Sequence, residues 1–250
     1  MLRVSVITAS RNCRSSITDC LDSVASQEWP AVEHIVVDGA SVDGTAEILD
    51  ARRSQFAFFE SKPDNGIYDA LNKGIGKASG DVVGFLHADD IFASPTSVSR
   101  IAAAFDDPSV CAVYGDLDYV SRDNADCVVR RWRSGPASDW KVRWGWMPPH
   151  PTLYVRRGWY SRVGGFDSRF RISGDYFSVL QLFNQPGFVC RYVPEVLVKM
   201  RLGGVSNKGL RNLLNKSMED YLALRRMRRG RFASVGVVFC KNASKVGQFF

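Results

Sequence analysis

Residues 33–45 read EHIVVDGASVDGT. The apolar run Ile35–Val37 closes on Asp38-Gly39, and a helix-forming segment from Thr45 to Arg53 follows the turn. A short apolar run bounded by Asp and Gly and then by helical periodicity reads as strand, turn and helix. The same unit precedes it. Residues 2–8 (LRVSVIT) read as a strand, and Ser15 or Ser16 can cap a helix through about Gln27. It recurs downstream: a strand at 56–60, a helix at 68–75 and a strand at 82–86 (VVGFL). Ser94-Pro95 reads as N-cap and first helical position of a helix to about Phe105. A fifth strand is expected at 110–114. Strands and helices alternating at this spacing predict an α/β fold with a mainly parallel sheet covered by helices on both faces.

The second half, about 115–205, is less regular. Strand-like pieces stand at 116–120, 127–132 and 152–155, and helices near 156–163 and 175–184. The chain has 250 residues, 45% hydrophobic and 24% charged, enough to bury a core without disulfides. Its six cysteines form no C-x-x-C pair and no zinc-like spacing with the three histidines, so buried reduced thiols are expected. No apolar run reaches the ~18–20 residues a membrane span needs. Residues 4–9 are too short for a signal-peptide core and are closed by Arg11, which points to a cytoplasmic protein.

Acidic and glycine-rich residues gather after the carboxyl ends of the expected strands, the edge where open α/β sheets bind ligands. Four clusters stand out: Thr8–Asn12 (TASRN), Asp38–Thr45 (DGASVDGT), Pro63–Gly74 (PDNGIYDALNKG) and Phe85–Asp90 (FLHADD). Asp38 at a strand end can accept hydrogen bonds from a base or ribose, whereas Asp43 and Thr45 also fit a plain turn and helix cap. The adjacent carboxylates of Asp89 and Asp90 repel unless a cation or a helix N-terminus compensates. Mg²⁺-like ions are held by one or two carboxylates plus substrate phosphates, which makes Asp89-Asp90 a candidate diphosphate–metal site, although such pairs also cap helices.

Together, and in this order over about the first 115 residues, the clusters resemble glycosyltransferase family 2, inverting nucleotide-sugar enzymes of the GT-A fold. VITASRN (6–12), DGASVDGT, DNGIYDALNKG and HADD each match a family element. His150-Pro151-Thr152 and SGDY at 173–176 continue the likeness more loosely. The resemblance implies transfer of a sugar from a nucleotide-diphosphate donor, with uridine as the base and GDP or dTDP donors open. The acceptor it implies is a hydroxyl of a glycan or a lipid-linked acceptor in surface polysaccharide synthesis, with Mn²⁺ or Mg²⁺ as cofactor. It implies Asp175 as the catalytic base, with an N-terminal helix cap as the plain alternative. Asp90 and Asp89 would carry the metal, Asp89 also beside the ribose or diphosphate. Thr8, Ala9, Arg11 and Asp38 would hold the nucleoside, and Asp64 and Lys73 the ribose or phosphate side, with a surface role open for Lys73. His150 would lie beside the diphosphate or the acceptor. Two positions depart from the family: His87 replaces the first acid of D-x-D, and Gly174 replaces the acid before Asp175. They keep open a catalytically silent sugar-nucleotide-binding or scaffolding protein. A nucleotidyltransferase would carry a glycine-rich loop after the first strand, where Ser10–Ser15 has none, and a dinucleotide oxidoreductase would carry G-x-G-x-x-G.

The net charge of +7 is concentrated at one end. Residues 208–250 hold ten Lys or Arg against Glu219 and Asp220, which leaves the remaining 207 residues slightly acidic. Leu210, Leu213, Leu214, Met218, Tyr221, Leu222 and Leu224 recur at mostly three- and four-residue steps before RRMRRGR at 225–231. The expected organisation is a 1–207 domain, with a nucleotide-binding half (1–115) and an acceptor-binding half (116–207), followed by a basic amphipathic helical tail. That tail can dock on an anionic membrane surface at its cytosolic face or simply pack on the domain. The cluster is not interleaved with stacking aromatics, so nucleic acid is not expected as a partner.

Overall fold

The fold grows outward from β1 (Val4–Ser10), all seven of whose residues are buried. Its alternation splits them between two cores: Val4 and Val6 face one side, Ile7 and Ala9 the other. A strand buried on both faces requires helices on both. In the computed structural model, which describes residues 1–203, 209–227 and 231–243, it has them. α1 (Ile17–Ala25) buries Ile17, Cys20, Leu21 and Val24, one stripe of a 3.6-residue period. α3 (Ile67–Lys77) packs on the other face, where a side chain at Gly74 would run into Ile7.

β2 (Val32–Asp38), with α2 (Thr45–Ala51) behind it, and β4 (Val82–Phe85) flank β1 in parallel, and β3 (Phe58–Ser61) extends the sheet in parallel beyond β2. The sheet then becomes mixed. β5 (Asp90–Phe92), α4 (Ser97–Ala103), β6 (Ala112–Val120), β7 (Val128–Trp132), α5 (Asp139–Arg143), β8 (Tyr154–Arg156), α6 (Arg157–Val163), α7 (Gly174–Phe183) and β9 (Cys190–Arg201) follow in sequence. The strand order is β3-β2-β1-β4-β8-β6-β9-β5, with β7 paired to β6. One sheet therefore runs through both expected halves of the 1–207 domain.

Several boundaries differ from expectation for identifiable reasons. The expected strands at 110–114 and 116–120 are one strand, β6, interrupted in register around Gly115, where a side chain would meet Leu197. β9 carries Pro194 mid-strand, which obscures its signal, and β5 is three residues long. The cap of α4 is Thr96, not Ser94, and Ser16, at the expected N-cap of α1, makes no side-chain cap hydrogen bond. Cys20 and Cys111 are buried as free thiols, but Cys127 is exposed.

Within the expected tail, α8 (Gly209–Arg226) and α9 (Arg231–Ala243) pack on the domain. Ala223, Leu224 and Val237 join the same core as Ile7 and Phe85. The leucine stripe read from the sequence splits: Leu224 is buried, whereas Leu214, Met218 and Leu222 are exposed. Leu210 and Leu213 lie outside the residues whose side chains are described. Among the described residues no helix is long and apolar enough to cross a membrane.

Candidate active site

Strand order reverses around β1, between β2 and β4, and the loops at the carboxyl ends of these strands meet there. The β1–α1 and β2–α2 loops are laced together. Asn12, with φ +51°, accepts from the Val42 N–H at 2.9 Å and donates its own N–H to Ser41 Oγ at 2.8 Å. The Cys13 N–H donates to Thr45 Oγ1 at 2.9 Å, and Asp43 accepts from the Arg14 and Thr45 N–H groups, so Asp43 and Thr45 form a turn, while the N-cap position of α2 is Gly44, without a side-chain cap. The β1–α1 loop borders a cavity of about 840 Å³ that extends to α7, α8 and α9.

Ala9, Arg11, Asp64, Asp89, Asp90, His150 and Asp175 all stand on its wall. Thr8, Asp38 and Lys73 do not. Thr8 lies beneath the wall, its hydroxyl 2.9 Å from His34 Nε2. Asp38 is fully buried, and its carboxylate accepts from Ser10 Oγ (2.9 Å), Ser61 Oγ (2.6 Å) and both the N–H and hydroxyl of Ser41 (2.9 and 2.5 Å). Four donors occupy its oxygens, so it holds the loops rather than facing the cavity. Lys73 points away and pairs with Asp69 one helical turn back, at 3.2 Å. Asp64 Oδ1 accepts the Gly66 N–H at 2.9 Å, fixing the start of α3. A side chain at Gly39 would come within 2.7 Å of Asp64 Oδ2.

Asp90 is 1% exposed, and neither carboxylate oxygen has a hydrogen-bond partner. Burial, reinforced by the neighbouring Asp89 charge, pushes its carboxyl well above the ordinary range. A buried carboxylate without partners is costly unless a proton or a cation compensates. Among the described residues no group of three or more side-chain donors is poised to hold a metal alone. Two adjacent carboxylates with remaining positions left to phosphate oxygens suit a hard divalent ion. The residues present fit Mn²⁺ or Mg²⁺ on Asp90 and Asp89.

In the same turn as Asp90, whose N–H donates to the His87 carbonyl at 2.9 Å, His87 Nε2 lies 2.7 Å from His150 Nε2, and His150 Nδ1 is 3.3 Å from Asp175 Oδ2. Burial pushes His150 down to about 4 against the pull of Asp175, so it is neutral at neutral pH. Burial alone would raise the Asp175 carboxyl, but His150, Lys216 and Lys241 beside it and the Tyr176 N–H bring it net below the ordinary value. Asp175 stands in the first turn of α7. The Tyr68 hydroxyl donates to the Ile172 carbonyl at 2.7 Å and lies 3.4 Å from Asp175 Oδ1. Its ring occupies the space a side chain at Gly174 would need, with a Cβ there only 2.7 Å away.

The chain as a whole is matched by known proteins. The profile described as Glycosyl transferase family 2 matches residues 5–172. The chain belongs to glycosyltransferase family 2. A PGL/p-HBAD biosynthesis glycosyltransferase of Mycobacterium bovis is 30% identical over 210 residues, covering 81% of this chain and 78% of the relative. A Mycobacterium tuberculosis glycosyltransferase is 32% identical over 187 residues, covering 71% and 68%. Among solved structures, S. aureus TarS 1-349 in complex with UDP-GlcNAc superposes with a TM-score of 0.69 at 17% identity, over 95% of this chain and 70% of that one. Mannosyltransferase PcManGT from Pyrobaculum calidifontis, in complex with GDP-Man and Mn²⁺, gives 0.64 at 18%, over 98% and 75%. The chain is a glycosyltransferase with the GT-A fold.

The sequence reading missed the His87–His150 contact and the walls contributed by Lys216, Asp220 and Lys241. Tyr68 lay inside a quoted motif, so its place beside Asp175 was within reach. The α8 and α9 contributions carry no local signal, because they depend on packing across more than forty residues of chain.

Proposed function

We propose that this glycosyltransferase inverts the anomeric centre of a nucleoside-diphosphate sugar, a UDP-sugar first among donors. The acceptor is a hydroxyl of a glycan or lipid-linked saccharide in surface polysaccharide synthesis. The observation that carries this reading is the Asp175 carboxylate, 3.3 Å from His150, on the wall of the same cavity that holds the unpartnered carboxyl of Asp90. Asp175 takes the proton from the acceptor hydroxyl as its oxygen bonds to the anomeric carbon. The bond from that carbon to the diphosphate oxygen breaks on the opposite face, and its electron pair leaves with the nucleoside diphosphate. Asp90 and Asp89 would hold Mn²⁺ or Mg²⁺, which when bound supplies positive charge to the departing diphosphate. Ala9, Arg11 and Asp64 line the nucleoside and ribose side, with Thr8 and Asp38 fixing the loops behind them. His150, between His87 and Asp175, sits where diphosphate and acceptor meet. Lys73 acts at most through Asp69 and α3. The neighbours' complexes with UDP-GlcNAc and with GDP-Man and Mn²⁺ support a nucleotide-sugar donor and a divalent ion.

The basic segment 208–250 docks the enzyme peripherally on an anionic membrane surface. In support, Leu214, Met218 and Leu222 expose a stripe at four-residue steps along α8, and Arg225 is exposed at its end. The experiment that tests the chemistry is Asp175→Asn. Turnover should fall by ~10²–10⁴-fold, the usual worth of a general base, with donor binding retained. Unchanged turnover would remove Asp175 from the mechanism.

A further inference from the structure

α7 carries the proposed base in its first turn, and the start of that helix is secured from outside its own sequence. Its N-cap, Ser173, makes no side-chain cap hydrogen bond; the hydroxyl instead donates to the Lys216 carbonyl of α8 at 3.4 Å. The backbone groups leading into a helix still need acceptors. Three consecutive N–H groups, of Arg171, Ile172 and Ser173, converge on one carboxylate, that of Glu219 on α8, at 3.1, 2.8 and 2.8 Å. Successive N–H groups turned to one side make a concave anion site, and a negative charge at a helix N-terminus is favourable. Charge-assisted hydrogen bonds of this kind are roughly twice as strong as neutral ones.

α8 is itself anchored where it does this. Ala223 and Leu224, one turn beyond Glu219, are fully buried. Asp220 pairs with Lys241 of α9 at 2.9 Å, and Lys241 Nζ lies 3.2 Å from the ring centroid of Tyr176, the residue after Asp175. Lys216, one turn before Glu219, lines the cavity. Its charge is among those that favour the ionised form of Asp175.

We infer that Glu219 is a positioning residue for the general base: by gathering the N–H groups of residues 171–173 it fixes the first turn of α7 and the place of the Asp175 carboxylate. The basic C-terminal segment is then part of the catalytic apparatus as well as a surface. Glu219 touches no reacting atom, so its loss should lower kcat without weakening the donor complex.

The inference rests on the reading of Asp175 as base, and the experiment separates the two. Glu219→Ala, Glu219→Gln and Asp175→Asn are made in the full chain. Nucleoside diphosphate release from UDP-GlcNAc and GDP-mannose gives kcat and KM, and amide hydrogen exchange reports residues 171–173. For Glu219→Ala we expect kcat lower by about 10- to 100-fold, the cost of roughly 1 Å of misplacement, and a donor KM within about twofold of wild type. The three amides should exchange faster. Glu219→Gln keeps an acceptor oxygen and should recover most of the lost kcat. Wild-type kcat in Glu219→Ala, a parallel loss of donor affinity, or a glutamine variant as poor as the alanine one would overturn the inference. If Asp175→Asn leaves release intact, the base assignment fails. If Asp175→Asn abolishes release while Glu219→Ala does not, only the positioning role fails.

Discussion

Adding one methyl group at Gly174 tests the geometry around the base. A Cβ there would stand 2.7 Å from the Tyr68 ring, closer than real carbon contacts come. The ring cannot step back easily. It is 6% exposed and stacks on Phe166 with centroids 5.5 Å apart and planes at 23°. Phe166 is in turn pinned through both backbone groups by Asn72, at 2.8 Å each. Overpacking of this kind costs about 1–3 kcal/mol. Alanine's better helix propensity offsets at most about 1 kcal/mol of that. For a chain of this size each kcal/mol moves Tm by about 2–4 °C, so Gly174→Ala should lower Tm by several degrees. The relief available to the protein is a shift of the first turn of α7, which moves Asp175. A displacement near 1 Å would cost about 100-fold in turnover, with donor affinity retained. Thermal unfolding and nucleoside diphosphate release read the two effects. Replacing Tyr68 by Leu in the same chain removes the obstacle and should restore Tm toward wild type. A Gly174→Ala protein with wild-type Tm and turnover would refute the packing argument.

Two further predictions follow from groups outside the chemistry. Burial holds His34 down to about 3, so it stays neutral in the fold while the unfolded chain takes up a proton near the ordinary value of 6.5. Its contribution to stability is therefore intact above 6.5 and lost as pH falls toward 3, at about 1.4 kcal/mol per pH unit. Between near-neutral pH and pH 5 wild type should lose about 2 kcal/mol more stability to urea than His34→Gln does, the rest of the loss coming from other depressed groups such as His150; equal losses in the two proteins would contradict it. Changing Leu214, Met218 and Leu222 together to Ser should abolish flotation with anionic phosphatidylserine vesicles while leaving turnover of soluble donor unchanged. Equal flotation of variant and wild type would rule out that face as the docking surface.

The parallel half of the fold was legible because β1, β2 and β4 are largely buried apolar runs, and Asp-Gly and Asp-Asp follow β2 and β4, signals contained within a dozen residues. The mixed half was not. β9 carries a proline, β6 is interrupted at Gly115, and both are stabilised by pairing with distant strands rather than by their own periodicity. The candidate site divides the same way. Ala9, Arg11, Asp64, Asp89 and Asp90 lie at or within a few residues of the carboxyl ends of β1, β3 and β4 and reach the cavity, as local reading expects. Asp38 has the same sequence context but turns into a cage of three serines, an outcome set by Ser61 on a different strand. The meeting of His87 with His150 spans sixty-three residues. The leucines of α8 show the limit most clearly. The helix has two apolar faces, and only packing decides that Leu224 goes in while Leu214 stays out.

The central claim is a nucleotide-sugar site whose diphosphate is held through a divalent ion on Asp90 and Asp89. Calorimetric titration of UDP and GDP, each with and without Mn²⁺, against wild type and Asp90→Asn tests it most directly. One nucleotide should bind wild type tightly only with Mn²⁺, and Asp90→Asn should lose the metal-dependent part while remaining folded. Binding of neither nucleotide by the folded protein, or equal binding with and without Mn²⁺ in both proteins, would contradict the account.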